Sequence, residues 1–87
     1  MSEQEICDLI NGTGCFKNTT VDFNEEKGIC DIYTRCTIPQ EEFLTTIATV
    51  ENVTVVPCDF GIFNLIIPLD CLETTINEFV TVFSKEW

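Results

Sequence analysis

The chain has 87 residues, room for one domain with one modest core, and carries fifteen Asp and Glu against four Lys and Arg with no His, a formal charge of −11. A field of that sign repels nucleic acid and anionic membranes and attracts basic surfaces, which argues against direct nucleic-acid or membrane binding. A hydrophobic fraction of 45% with seven Phe separates the chain from disordered polyanions, and its longest apolar stretch, residues 62–69, is broken by Asn64 and Pro68, far short of the ~20 residues a membrane span needs.

Ser2 and Glu5 have the spacing of a capping box, Ile6, Leu9 and Ile10 follow at helical spacing, and Gly12 can terminate, so a first helix is predicted over residues 3–11. Residues 15–23 and 29–38 are rich in β-branched and aromatic side chains and flank the turn-like run Asn24-Glu25-Glu26-Lys27-Gly28, which reads as a hairpin. Pro39 suits a first helical position, and Phe43, Leu44, Ile47 and Ala48 form one stripe of a second helix over about 39–50.

The pattern then recurs. Residues 53–56 and 62–67 flank Pro57-Cys58-Asp59-Phe60-Gly61 as a second hairpin, and in both hairpins a Gly-Ile pair opens the second strand. Asp70, with Glu73 three residues on, can cap a third helix whose Leu72, Ile76, Phe79, Val80 and Phe83 share a face.

The expected fold is therefore α+β, in the order α-ββ-α-ββ-α, with an antiparallel sheet of about four strands and two to three helices on one side. The run Ile62, Phe63, Ile66 and Ile67, apolar on both faces, predicts a central strand or an oligomer contact. The expected core is Cys30, Ile32, Phe43, Ile47, Val55, Ile66, Ile76, Phe79 and Phe83.

Chemistry is sparsely provided. No His can serve as general base, the two serines, Ser2 and Ser84, lie near the ends, no glycine-rich phosphate loop occurs, and the negative field works against a thiolate nucleophile. No catalytic residue and no cofactor is expected. Six Cys could ligate a metal, but their positions (7, 15, 30, 36, 58 and 71) contain no C-x-x-C pair, so no metal site is expected either. If residues 24–27 close the first hairpin, Val21 faces Cys30, Thr19 faces Ile32, and Cys15 faces Cys36 as a thiol pair or a disulfide. Cys30 and Cys36, ~20 Å apart along one strand, cannot bridge.

Three N-x-[ST] triplets, at Asn11, Asn18 and Asn52, point toward export, whereas residues 1–10 carry Glu3, Glu5 and Asp8 where an export signal would be basic and then apolar. The expected compartment is accordingly intracellular, with thiols rather than disulfides.

Function is expected in the acids. Asp22, Glu25, Glu26 and Asp31 gather on and beside the first hairpin, Glu41, Glu42 and Glu51 on the second helix, and Glu73, Glu78 and Glu86 on the outer side of the third. Such a surface serves solubility, or it sets carboxylates in place of phosphates and occupies a basic groove on a nucleic-acid-handling protein. In size and charge, though in no motif, the chain resembles the small acidic inhibitors that viruses and mobile elements direct against host nucleases and defence complexes. The partner-binding candidates are Asp22, Glu25, Glu26, Asp31, Glu41 and Glu42. The competing expectation is a small structural or secreted domain held by disulfides, such as a minor virion component.

Overall fold

The computed structural model describes residues 1–84, so Glu86 lies outside the described residues. The order is α1 (Glu3–Gly12), β1 (Phe16–Asn24), β2 (Ile29–Cys36), α2 (Gln40–Ile47), β3 (Thr54–Pro57), β4 (Ile62–Pro68) and α3 (Leu72–Phe83). This is the predicted α+β architecture, three helices and a four-stranded antiparallel sheet. The strands run β1-β2-β4-β3, so the hairpins join through their second strands and β4 is internal.

Alternation decides what each strand buries. Cys30, Ile32 and Thr34 of β2 and Phe63, Leu65 and Ile67 of β4 point toward the helices, which contribute Ile6, Ile10, Phe43, Ile47, Ile76, Phe79 and Phe83 to one continuous core. Aromatic contacts weld the layers together: Phe16 of β1 meets Phe43, Phe79 and Phe83 at centroid distances of 5.8, 5.2 and 5.0 Å. Two expected core residues are displaced. Ile66 lies on the opposite face of β4, because Leu65 and Ile67 take the inward positions, and Val55 on the short edge strand is only half-buried.

The helix ends differ from one another. Both limbs of the α1 capping box form, with Glu5 N–H donating to Ser2 Oγ and Ser2 N–H to Glu5 Oε1, each at 3.1 Å. Pro39 is the cap residue of α2 rather than its first turn, and the helix stops at Ile47. Asp70 does not cap α3. It falls inside a 3-10 turn, Leu69–Cys71, whose own backbone bond, Leu72 N–H to the Leu69 carbonyl, leads into the helix with no side-chain cap.

The first hairpin departs most from expectation. Its loop is residues 25–28, so Phe23 pairs with Cys30 and Val21 with Ile32. Further along, Asn18 (φ +55°) and Thr19 form a bulge that shifts the register by one, and Phe16 rather than Cys15 stands opposite Cys36. The bulge turns Thr19 toward a small polar network. Its hydroxyl lies 2.6 Å from Asn11 Oδ1 and 2.9 Å from Thr34 Oγ1, and Cys7 Sγ donates to its carbonyl at 3.2 Å.

Both turns need a left-handed residue before the second strand, and the Gly-Ile pairs supply it: Gly28 has φ +67° and Gly61 +74°.

Candidate functional site

Among the described residues the helices cover one side of the sheet only. On the other, pairing places Asp22, Asp31, Ile66 and Thr54 in one row across β1, β2, β4 and β3, and Thr20, Tyr33, Asn64 and Val56 in the next. A third row begins Lys17, Arg35, Ile62. Tyr33 is 42% and Val56 40% exposed, whereas Asn64 is buried.

Two like-charge pairs therefore share this face: Asp22 directly opposite Asp31, and Lys17 directly opposite Arg35. Opposed like charges sit with Cβ atoms ~5 Å apart and destabilise a sheet. A register joining Asp to Lys or Arg would have removed both conflicts; the chain instead segregates its signs to the two sides of the Thr20–Tyr33 row. Asn64 Nδ2 steadies the negative pair by donating to Asp31 Oδ1 at 3.3 Å and to the Ile32 carbonyl at 3.4 Å. Arg35 Nε is buried without a partner among the described residues.

The turn beyond the acidic row carries Glu25 and Glu26, both exposed. It is closed by Lys27 N–H donating to Asn24 Oδ1 at 3.0 Å and Gly28 N–H to the Glu25 carbonyl at 3.2 Å. The structure thus brings four of the six acidic candidates, Asp22, Glu25, Glu26 and Asp31, to one end of the first hairpin.

Glu41 and Glu42 are elsewhere. They lie in the first turn of α2, whose Phe43 packs on Phe16 and Phe63 at the opposite end of β2, roughly 23 Å along the strand from the turn. With Leu44, Thr45 and Thr46 they line an open depression of ≈ 550 Å³. The six residues form two acidic regions on different sides of the molecule.

Other carboxylates are used by the fold. Glu3 Oε2 accepts the Phe23 N–H at 2.8 Å, fastening α1 along the outer edge of β1 and blocking strand addition there, and Glu78 Oε1 accepts the Glu51 N–H at 3.2 Å. The Ser2 backbone N–H, and next its hydroxyl, lower the Glu5 carboxyl below its ordinary value. The carboxylates of Glu25, Glu26, Glu41 and Glu42, by contrast, accept no hydrogen bond among the described residues.

All six cysteines are free thiols. Burial, then the carboxylates of Asp31, Glu3 and Asp22, push Cys30 up to about 12; burial, then the adjacent Cys15, push Cys36 up to about 11. Cys15 is raised chiefly by burial, and its Sγ donates to the Phe83 carbonyl at 3.3 Å. Cys15 and Cys36 remain neighbours despite the altered register, with the Thr37 N–H donating to the Cys15 carbonyl at 2.8 Å. Among the described residues no three His, Cys, Asp or Glu converge as a metal site, and no helix is long and apolar enough to cross a membrane.

Tyr33, Asn64, Lys17 and Arg35 escape a reading of the sequence, because their importance lies in which rows they share, and that is set by the β2–β4 register and, for Lys17, by the bulge in β1. Period-two alternation around Ile32 and Thr34 is the one signal that puts Tyr33 and Arg35 on a common face. Comparison of the chain with protein-family models, with curated proteins and with solved structures gives no match.

Proposed function

We propose that the chain is a non-enzymatic binding module that engages a basic surface on a nucleic-acid-handling protein, with carboxylates occupying positions that phosphates would otherwise take. One observation carries this reading: the β1–β2 turn presents Glu25 and Glu26 exposed, their carboxylates accepting no hydrogen bond among the described residues, at the same end of the hairpin as the Asp22–Asp31 pair. Solubility alone needs acids spread over the surface, and it is served as well by mixed charge. Four carboxylates concentrated on one hairpin end, in a chain with four cations in total, give a directed field that speeds encounter with a basic groove and holds off nucleic acid. An inhibitor acting by occupancy, of the kind viruses and mobile elements use, fits these properties without any catalytic step.

The test is a titration against purified basic DNA- and RNA-handling proteins, with and without a competing duplex oligonucleotide. Affinity should fall steeply between roughly 50 and 200 mM salt, and the duplex should compete. Glu25→Lys with Glu26→Lys should slow association and leave the fold intact, since exposed turn residues contribute little to stability. Equal, salt-independent binding by wild type and double variant would refute the reading and move the interface to an apolar patch.

A further inference from the structure

We infer that the uncovered sheet face is a dimer interface that receives a second copy of this chain. The ground is a symmetry in the charge rows. Along β2 the face reads Asp31, Tyr33, Arg35, and the paired positions of β1 read Asp22, Thr20, Lys17. A two-fold axis lying across the strands through the Tyr33 row sends each acidic row onto the basic row of the other copy. Asp31 then meets Arg35 and Asp22 meets Lys17, twice over, as an isologous interface requires.

The same operation treats the apolar half consistently. Ile66 shares the acidic row and Ile62 the basic row, so each isoleucine meets the other type across the axis, while Tyr33 and Val56 meet their own counterparts. Two sheets stacked this way lie about 10 Å apart, the ordinary separation for facing sheets.

Within one copy, both like-charge pairs are unfavourable; between two copies, every member acquires an opposite charge. The exposed Tyr33 ring, unexplained by the fold, becomes the centre of the contact. A basic partner would satisfy Asp22 and Asp31 but would be repelled by Lys17 and Arg35, so the second copy is the occupant that complements the whole face. The inference does not rest on the function proposed above and narrows its surface: the dimer takes up Asp22 and Asp31, and contact with a basic partner is left to Glu25 and Glu26, which stay exposed at the hairpin ends.

Charge swapping tests it, with mass read by sedimentation on the full chain near 0.15 M salt, where the mutual repulsion of two polyanions is screened within ~8 Å. Wild type should dimerise. Arg35→Asp gives β2 an acid at both ends of this face and Asp31→Arg gives it a base at both, while Asp22 and Lys17 are unchanged, so each alone should weaken dimerisation about tenfold or more. Mixed together, the two variants should form a heterodimer. Tyr33→Lys should also give monomer, by placing like charges on the axis, and it tests the same interface if Arg35→Asp fails to fold. A wild type that stays monomeric at millimolar concentration, or a dimer unchanged by Asp31→Arg and Tyr33→Lys, would overturn the inference.

Discussion

Phe16 and Phe79 pack with ring centroids 5.2 Å apart, fastening the first residue of β1 to α3, and Phe79 also lies 4.7 Å from Phe83. Phe79 is fully buried. Phe79→Ala should therefore leave a cavity that the surrounding rings cannot fill and cost about 3–5 kcal/mol. Total stability for a domain this small is of order 5–10 kcal/mol, so denaturant unfolding should show a midpoint lowered by a third or more. An unchanged midpoint would place α3 outside the cooperative core.

The polar network at the bulge gives a second expectation. Thr34 is fully buried, and its hydroxyl contacts Thr19 Oγ1 at 2.9 Å and the Lys17 carbonyl at 3.4 Å. Thr19 uses its own proton toward Asn11 Oδ1, so Thr34 is the donor that Thr19 accepts. Thr34→Val keeps the shape and removes that donor, at a cost of about 1–3 kcal/mol, while Thr34→Ser should retain most of it. Hydrogen exchange should quicken at residues 17–20 in the Val variant alone. Equal stability of the Val and Ser variants would mean that packing, and not the hydroxyl, holds the bulge.

Element order and type were legible in the chain because each rests on local chemistry. The Ser2–Glu5 box, the apolar stripe of α3 and the Gly-Ile pairs are all short-range signals. What failed needs tertiary knowledge. The register of the first hairpin depends on a bulge at Asn18 and Thr19 stabilised by Asn11 and Thr34, residues remote from the turn. The inward set on β4 depends on which of two apolar faces meets the helices, and the run Ile62, Phe63, Ile66, Ile67 is apolar on both. The acidic candidates were visible as a list, but their division into a hairpin end and an α2 group, like the charge rows, follows from register and strand order.

Thiol behaviour supplies a third expectation. Cys30 and Cys36 have folded-state values of about 12 and about 11, above the ordinary thiol value near 9 that they regain on unfolding. Below that ordinary value both states hold the proton, and the contribution to stability is full. Above it the unfolded chain ionises first, so stability falls as pH rises through 11 to 12. Cys30→Ala should make this alkaline decline shallower. At neutral pH, alkylation followed by mass spectrometry should label exposed Cys58 first and buried Cys15 and Cys30 last. Rapid labelling of Cys30 in the native state would contradict its burial.

The tip of the second hairpin is held in a conformation its residue does not favour. Phe60 has φ +62° and ψ +31°, Gly61 follows with φ +74°, and the Ile62 N–H donates to the Asp59 carbonyl, which together describe a type I′ turn. That turn prefers Asn-Gly, because Asn tolerates left-handed backbone that costs a bulky side chain about 1–2 kcal/mol. The Phe60 ring offers no compensation, being 84% exposed. Phe60→Asn should therefore raise stability by about 0.5–1 kcal/mol, seen as a higher melting temperature, while Phe60→Ala, which keeps the strain, should change it little. The opposite sign for Phe60→Asn would show that the ring makes contacts that outweigh its backbone strain, and the tip would then belong to the packed structure rather than to the exposed surface.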